Sequence, residues 1–149
     1  MHTLTPAMVF QRGELYMALG SMGGDAQPQI HVQLLSAMFD FGLNPQQAIS
    51  APRWRSGRFL VESQGKDQEL GGQSGVGEHL AQHVAEAVVL ERRFLGTVPV
   101  DLERLGHRVR VDGPWEDSMG HAQAIVIRPD THIFEGAADP RCDSLALGW

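Results

Sequence analysis

The sequence predicts an α+β domain in which antiparallel hairpins alternate with helices. Two pairs of short apolar runs, each pair separated by a turn, indicate hairpins at 7–10 with 14–20 and at 122–127 with 132–135. Apolar residues recur at helical spacing over 29–41, between the two hairpins. Hairpins joined through helices are typical of layered α+β folds and favour antiparallel sheets with packed helices.

Local signals place the first elements. Gln11-Arg12-Gly13 is a short turn that closes the first hairpin. Gly42 follows the apolar helix where a terminating glycine is expected. Asn44 and Pro45 then form a start signal for a short helix, because asparagine caps helix N-termini and proline suits the first helical position. Pro52 ends that helix.

The later elements follow from periodicity and from glycine content. We expect an extended segment at 53–62, a polar loop at 65–77 and a long helix at 78–94. A short helix at 101–105, a strand at 108–111 and an irregular tail at 137–149 are expected to follow.

Composition limits the classes of function. The 149 residues are enough for a single domain, 1–149, with its own core. Twelve Lys and Arg against eighteen Asp and Glu give a net charge of −6, so nucleic acid and anionic membranes are poor partners. No apolar run reaches the length of a membrane span. Cys142 is the single cysteine, which fits a reducing, cytoplasmic location.

The most informative segment is Leu19-Gly20-Ser21-Met22-Gly23-Gly24-Asp25, which joins a predicted strand to a predicted helix. Glycines here can adopt positive φ and let another group approach the backbone. Free N–H groups at the positive end of a helix can bind an anion or a developing oxyanion. The alternative is a tight corner, which composition alone favours. The spacing matches neither a dinucleotide fingerprint nor a P-loop.

Other candidate residues have simpler interpretations. His79 and His83 are four residues apart, but the glutamate of the zinc motif is missing, so a solvated helix face is the preferred interpretation. The remaining histidines are scattered, and we predict no metal and no cofactor. Asp139-Pro140-Arg141 indicates an ordinary salt-bridged loop, and Cys142 has no identifiable base beside it.

Several segments together resemble one family, the γ-glutamyltransferases (γ-glutamyltranspeptidases). The likeness is to the C-terminal part of their small subunit, in particular in the γ-glutamyltransferase-like bacterial branch. Residues 64–89, approximately, have no counterpart and indicate an insertion or a diverged segment. The matching segments, in order, are Thr5-Pro6-Ala7-Met8-Val9, residues 19–25, Asp40-Phe41-Gly42-Leu43-Asn44, residues 48–53, Leu105-Gly106-His107, Ala122-Gln123-Ala124-Ile125 and residues 136–141.

The resemblance implies part of an Ntn-hydrolase αββα fold. Members of this family cut themselves and expose a threonine whose hydroxyl attacks a γ-glutamyl amide such as glutathione. Gly23 and Gly24 match the glycine pair that forms part of the oxyanion hole, and Ser21 and Met22 beside them are expected to contact substrate. His2 and Thr3 lie where many members carry two serines that contact the glutamyl group.

The resemblance also places the nucleophilic threonine, and the residues that hold the α-amino and α-carboxyl groups, before the first residue of this sequence. We therefore expect a fragment that is inactive alone and acts on γ-glutamyl amides when completed. A non-catalytic scaffold derived from the fold is the alternative, and both predict a homo-oligomer because half of a stacked-sheet fold leaves a face uncovered. A third hypothesis is an independent hydrolase that uses Ser21 or Thr3.

Overall fold

A computed structural model describes residues 4–62 and 82–148, which form two sheets. The first sheet is antiparallel throughout and has four strands in the order β1-β2-β6-β7, where β1 is Thr5–Gln11, β2 Glu14–Ser21, β6 Ala122–Ile127 and β7 Phe134–Ala138. The second sheet has the order β3-β4-β5, with β3 Trp54–Glu62, β4 Gln82–Glu91 and β5 Val109–Asp112. The helices are α1 (Gln27–Phe39), α2 (Pro45–Ser50) and α3 (Thr97–Arg104).

The α+β class is confirmed, and both predicted hairpins are present. Arg12 and Gly13 form the two-residue connection between β1 and β2, with φ of 53° and 87°. Positive φ at both central residues gives a turn whose twist matches that of the strands. In the second hairpin β7 begins at Phe134, two residues later than the prediction, and includes Ala137 and Ala138 from the predicted irregular tail.

Helix α1 covers one face of the four-stranded sheet. Its buried Ile30 and Leu34 pack with Met17 and Leu19 of β2 and Val126 of β6. The helix begins at Gln27 and ends at Phe39, each two residues before the predicted bound. Beyond its end, Gly42 has a φ of 69°.

Helix α2 begins, as predicted, directly after a capping asparagine, Asn44. The Asn44 Oδ1 accepts the N–H of Gln47 at 2.8 Å, and the Gln47 side chain accepts the N–H of Asn44 at 3.0 Å. This reciprocal pair satisfies backbone donors that the first turn of a helix leaves open.

The predicted helix over 78–94 is wrong: Gln82–Glu91 is strand β4. The segment contains Val84, Val88 and Val89, whose branched side chains favour strands, and β4 pairs with β3 on one side and with β5 on the other. His83 therefore lies on a strand and not on the predicted helix face. The β4–β5 pair is parallel, whereas antiparallel sheets were predicted. His79 and the predicted loop at 65–77 lie outside the described residues.

Two glutamines of α1 connect the helix to the edge of β3. The Gln29 side chain accepts the N–H of Ser56 at 2.7 Å and donates to its carbonyl at 2.9 Å. The Gln33 side chain does the same with Trp54, at 3.0 and 2.8 Å. The two glutamines lie one helical turn apart on α1, and their partners lie two residues apart on β3. The side-chain amides therefore pair with the edge of β3 as the backbone of a short neighbouring strand would.

The other face of the four-stranded sheet is apolar, and the described residues leave most of it exposed, although Ala146 of the tail lies against Gly136. Met8, Ala18, Ile125 and Gly136 form one row across all four strands, and Met8 and Ile125 are 67% and 51% exposed. Phe134 on the last strand is 68% exposed. We call this surface the outer face.

None of the helices in residues 4–62 and 82–148 has the length and apolar composition that a membrane span needs. Within the same residues, no three His, Cys, Asp or Glu side chains cluster as metal ligands would.

Candidate active site

The glycine turn, residues 20–25, joins β2 to α1 and has two backbone N–H groups to which the described residues offer no acceptor. Gly23 has a φ of 144° and Gly24 a φ of 54°, and both are partly or fully exposed. The N–H of Met22 donates to the carbonyl of His121 at 3.0 Å, and the carbonyl of Gly23 accepts from Ala26 at 3.0 Å. Among the described residues, no hydrogen bond uses the N–H of Gly23 or Gly24. The turn can therefore donate to a bound anion.

Gly120, just before β6, supports the turn from behind. A Cβ on Gly120 would lie 2.3 Å from the carbonyl oxygen of Met22 and 2.5 Å from the Cδ1 of Ile30. A Cβ on Gly23 would lie 3.3 Å from the Cα of Gly120. Two backbones approach closely here because both positions lack a side chain.

Arg53 holds the segment that contains Gly120. Its Nη1 donates to the carbonyls of Gly120 at 2.8 Å and Met119 at 3.2 Å, and its Nη2 lies 2.6 Å from the Oδ2 of Asp139. The same Oδ2 accepts the N–H of Ala122 at 2.8 Å. The residues on both sides of Gly120 are thus held by one buried ion pair, between Arg53 and Asp139.

Two further charged residues complete what we call the charge cluster: Arg53, Glu91, Asp139 and Arg141. Arg141 contacts Glu91 through its Nη2 at 2.6 Å and its Nε at 2.7 Å, and contacts Asp139 through its Nη1 at 3.1 Å. Glu91 also accepts the N–H of Arg53 at 2.9 Å. The four residues are at most 8% exposed and carry two positive and two negative charges. At the margin of the cluster, Arg93 adds a third guanidinium, whose Nη2 lies 2.7 Å from the Oε2 of Glu91.

The surroundings keep Glu91 ionised. Burial raises the pKa of its carboxyl group, but hydrogen bonds from Arg141 and from the N–H of Arg53, together with the charge of Arg141, outweigh burial, so the pKa lies below its ordinary value. For Arg53, burial and the nearby Arg141 lower the pKa, and Asp139 opposes them. Arginine pKa values are high enough for the guanidinium to stay charged.

The structure locates some of the predicted site residues. Ser21 is 3% exposed, and among the described residues its Oγ has no hydrogen-bond partner. Met22 is half-buried next to Gly23. His2 and Thr3 lie outside the described residues. The roles of Gly23, Gly24, Ser21, Met22, His2 and Thr3 in substrate binding or catalysis remain predictions.

Sequence reasoning missed the charge cluster. The predicted salt bridge within Asp139-Pro140-Arg141 is present, but Asp139 is fully buried and Arg141 nearly so, which does not fit an ordinary loop. A signal was available, because Pro-Arg occurs both at Pro52-Arg53 and at Pro140-Arg141, each after small or acidic residues. Sequence alone did not show that the two arginines meet.

Comparison with known proteins identifies the family. The family model described as gamma-glutamyltranspeptidase matches residues 1–149. The chain belongs to the gamma-glutamyltranspeptidase family. It is 35% identical over 147 residues to the glutathione hydrolase-like YwrD proenzyme of Bacillus subtilis, and 36% identical over 148 residues to the oxamate amidohydrolase proenzyme of Klebsiella pneumoniae. Each match covers 99% of this chain and 24% of the relative.

Solved structures share the fold, among them a gamma-glutamyltranspeptidase and a cephalosporin acylase. A gamma-glutamyltranspeptidase from Pseudomonas nitroreducens complexed with L-DON aligns with a TM-score of 0.68 at 21% identity, covering 100% of this chain and 63% of that one. A cephalosporin acylase from Bacillus halodurans aligns with a TM-score of 0.72 at 29% identity, covering 97% of this chain and 22% of that one. The resemblance inferred from sequence motifs is confirmed at the level of family and of α+β fold.

Proposed function

We propose that this chain supplies the oxyanion-binding turn of an enzyme that processes γ-glutamyl amides such as glutathione, and that the attacking threonine hydroxyl comes from polypeptide outside it. The observation that carries the proposal is the glycine turn: Gly23 and Gly24 have positive φ, available N–H groups and a rigid support at Gly120. Such donors stabilise the negative charge that develops when an amide carbonyl is attacked.

Two observations support an active site whose oxyanion donors and attacking hydroxyl come from different stretches of polypeptide. The chain spans 24% of the length of the Bacillus and Klebsiella relatives, whose names denote amide-hydrolysing proenzymes. Within the glycine turn, the one hydroxyl belongs to Ser21, and it is buried. Because acyl transfer requires a nucleophile, a base and oxyanion donors together, we expect the chain alone to be inactive. A cytoplasmic location, inferred from its single cysteine, is part of the same proposal.

The outer face favours a second candidate function, in which the chain is a non-catalytic assembly protein. Met8, Ile125 and Phe134 expose apolar side chains on one face of the sheet, and such surfaces promote association. Under either function we propose that the isolated chain forms a homo-oligomer. Light scattering at micromolar concentration tests this directly, and a clean monomer would contradict it.

The catalytic proposal is tested by completing the enzyme. The segment of the Bacillus subtilis relative that precedes its match to this chain is fused to residue 1, and release of p-nitroaniline from γ-glutamyl-p-nitroanilide is followed. We expect no release from the chain alone and release from the chimera. Gly24→Ala keeps the backbone N–H but adds a methyl group beside it, where the described residues leave open space. We expect this methyl group to displace the substrate and to lower kcat/KM by about 10²-fold, as a displacement of about 1 Å would.

Gly42→Ala is the matched control. Gly42 also has positive φ, 69° against 54° for Gly24, and a Cβ there would also meet open space. Both variants therefore carry a similar backbone strain, and only Gly24 belongs to the glycine turn. Equal activity of the two variants, or activity of the chain alone that disappears in Ser21→Ala or Thr3→Ala, would overturn the proposal.

A further inference from the structure

We propose that Gln27, the first residue of helix α1, is a positioning residue that holds the two oxyanion donors of the glycine turn in place. The inference rests on the proposed function, because it assigns Gln27 a role in the same reaction. Gln27 is 3% exposed, and it contacts the turn through both its backbone and its side chain. It acts through the peptide groups beside the donors and not by touching substrate.

Gln27 bonds to the turn on both sides of the donors. The N–H groups of Gly23 and Gly24 belong to the peptides 22–23 and 23–24. In the peptide before these two, the carbonyl of Ser21 accepts a hydrogen bond from the Nε2 of Gln27 at 3.2 Å. In the peptide after them, the carbonyl of Gly24 accepts the backbone N–H of Gln27. One residue therefore holds both ends of the segment that carries the donors.

The peptide that leads into the donors has both of its polar groups engaged. Its carbonyl, from Ser21, accepts from Gln27, and its N–H, from Met22, donates to the carbonyl of His121 at 3.0 Å. The Cγ of Gln27 also lies 3.9 Å from the point that a Cβ on Gly23 would occupy, so the side chain packs beside the turn. Loss of the Gln27 amide would release one of these two hydrogen bonds.

The side-chain amide of Gln27 has a fixed orientation. A carbonyl can only accept, so the Nε2 faces Ser21, and the Oε1 accepts the hydroxyl of Thr5 on β1. Thr5 and Ser21 are opposite each other in the β1–β2 ladder, so the amide joins both strands to the start of α1. A glutamate at this position would replace the donor by an acceptor and add a negative charge behind the turn.

A positioning role has a kinetic signature. An oxyanion donor is effective when its N–H is aimed at the reacting oxygen before the reaction begins. Because the charge develops only in the transition state, a misaligned donor lowers kcat and kcat/KM alike and leaves KM nearly unchanged. A purely structural role of Gln27 would lower the stability of the chain and leave kcat of the folded enzyme as it was.

The position of the donors is measured on the full chain by amide NMR in Gln27→Met. This change keeps the length of the side chain and removes its hydrogen bonds to Thr5 and Ser21. We expect the amide resonance of Gly23 to shift, since Gly23 follows the released peptide. The resonance of Gly24 should shift less, since the carbonyl of Gly23 still accepts a hydrogen bond within the turn, at 3.0 Å.

Gln33→Met is the matched control. It removes two similar side-chain hydrogen bonds, to Trp54, from the same helix, and should leave the resonance of Gly23 in place. Thr5→Val removes only the hydroxyl partner of Gln27, and we expect a smaller shift of the same resonance. Since Thr5 acts through Gln27, adding Thr5→Val to Gln27→Met should cause no further shift. Thr5→Val also decides the question if Gln27→Met does not fold.

In the chimera, Gln27→Met should lower kcat for γ-glutamyl-p-nitroanilide by about tenfold and keep KM within about twofold, whereas Gln33→Met should keep both. The proposal is overturned if the Gly23 resonance stays in place in Gln27→Met and Thr5→Val, if Gln33→Met shifts it as far, or if Gln27→Met keeps the original kcat. An inactive original chimera would contradict the proposed function, and the NMR comparison would still decide whether Gln27 holds the donors.

Discussion

The charge cluster and the outer face are opposite cases within one small chain. Arg53, Glu91, Asp139 and Arg141 are the groups that are most costly to remove from water, and they are buried with close partners. Met8, Ile125 and Phe134 are groups that gain from burial, and they are exposed. The charges of the cluster are paired within the chain, whereas these apolar side chains are left exposed by the described residues.

This difference separates two sources of organisation. The cluster joins segments that are up to 92 residues apart, because Arg141 also donates to the carbonyl of Ile49 at 3.0 Å. It therefore fixes the fold, and with it the glycine turn, from within the chain. The outer face gains stability only when another surface covers it. Four variants test the two halves of this comparison.

The largest effect is expected for Glu91→Gln. The change leaves the buried Arg141 without one of its two carboxylate partners, and breaking a buried pair costs about 3 to 5 kcal/mol. Urea unfolding followed by circular dichroism measures the loss. Glu135→Gln, which breaks the 2.6 Å pair with Arg128 on the surface, is the control and should cost less than about 1 kcal/mol. Equal losses in both variants would show that the cluster contributes no more than a surface pair.

A smaller effect is expected for Gly120→Ala. The new methyl group would lie 2.3 Å from the carbonyl oxygen of Met22, and the residue would keep a φ of 76°, so we expect a loss of about 2 to 3 kcal/mol. The amide resonances of Gly23 and Gly24 should shift at the same time. Gly106→Ala has positive φ and open space around it, and should cost only about 1 kcal/mol without moving those resonances. Unchanged resonances in Gly120→Ala would mean that Gly120 does not support the turn.

A pH-dependent effect is expected from His31, on the buried side of α1. Burial lowers its pKa below the ordinary value of 6.5, so the folded chain binds this proton less readily than the unfolded chain does. The contribution of His31 to the free energy of unfolding is therefore constant above about pH 6.5. Below that pH it decreases as the pH falls, by at most about 1.4 kcal/mol per pH unit. His31→Leu should remove this slope between pH 6.5 and 5, and exposed His107→Gln should retain it. A slope that persists in His31→Leu would assign it to other groups.

The smallest effect on stability is expected on the outer face. Ile125→Ser should change the free energy of unfolding by about 0.5 kcal/mol or less, since the side chain is 51% exposed. It should nevertheless weaken self-association measured by sedimentation. Unchanged association would place the contact between copies on another surface.

Sequence reasoning worked where the determinants are local. The Arg12-Gly13 turn, the Asn44 cap and Gly42 each depend on a few adjacent residues, and all are present. It failed at β4, where the valines and alanines also fit a helical pattern and pairing with β3 and β5 decides the structure. The repeated Pro-Arg pair marked two members of the charge cluster, but their meeting at Glu91 was not predictable, because Glu91 is 38 residues from Arg53 and 50 residues from Arg141.

The side-chain amides of Gln29 and Gln33 have a consequence for the exposed edge of strand β3. An unprotected strand edge is a template on which further strands can add without limit, which is the beginning of fibril growth. At Trp54 and Ser56 the backbone groups that would serve as that template are already engaged. Growth of the β3-β4-β5 sheet by strand addition is thus blocked at these two residues, while the outer face is free to form closed, face-to-face assemblies.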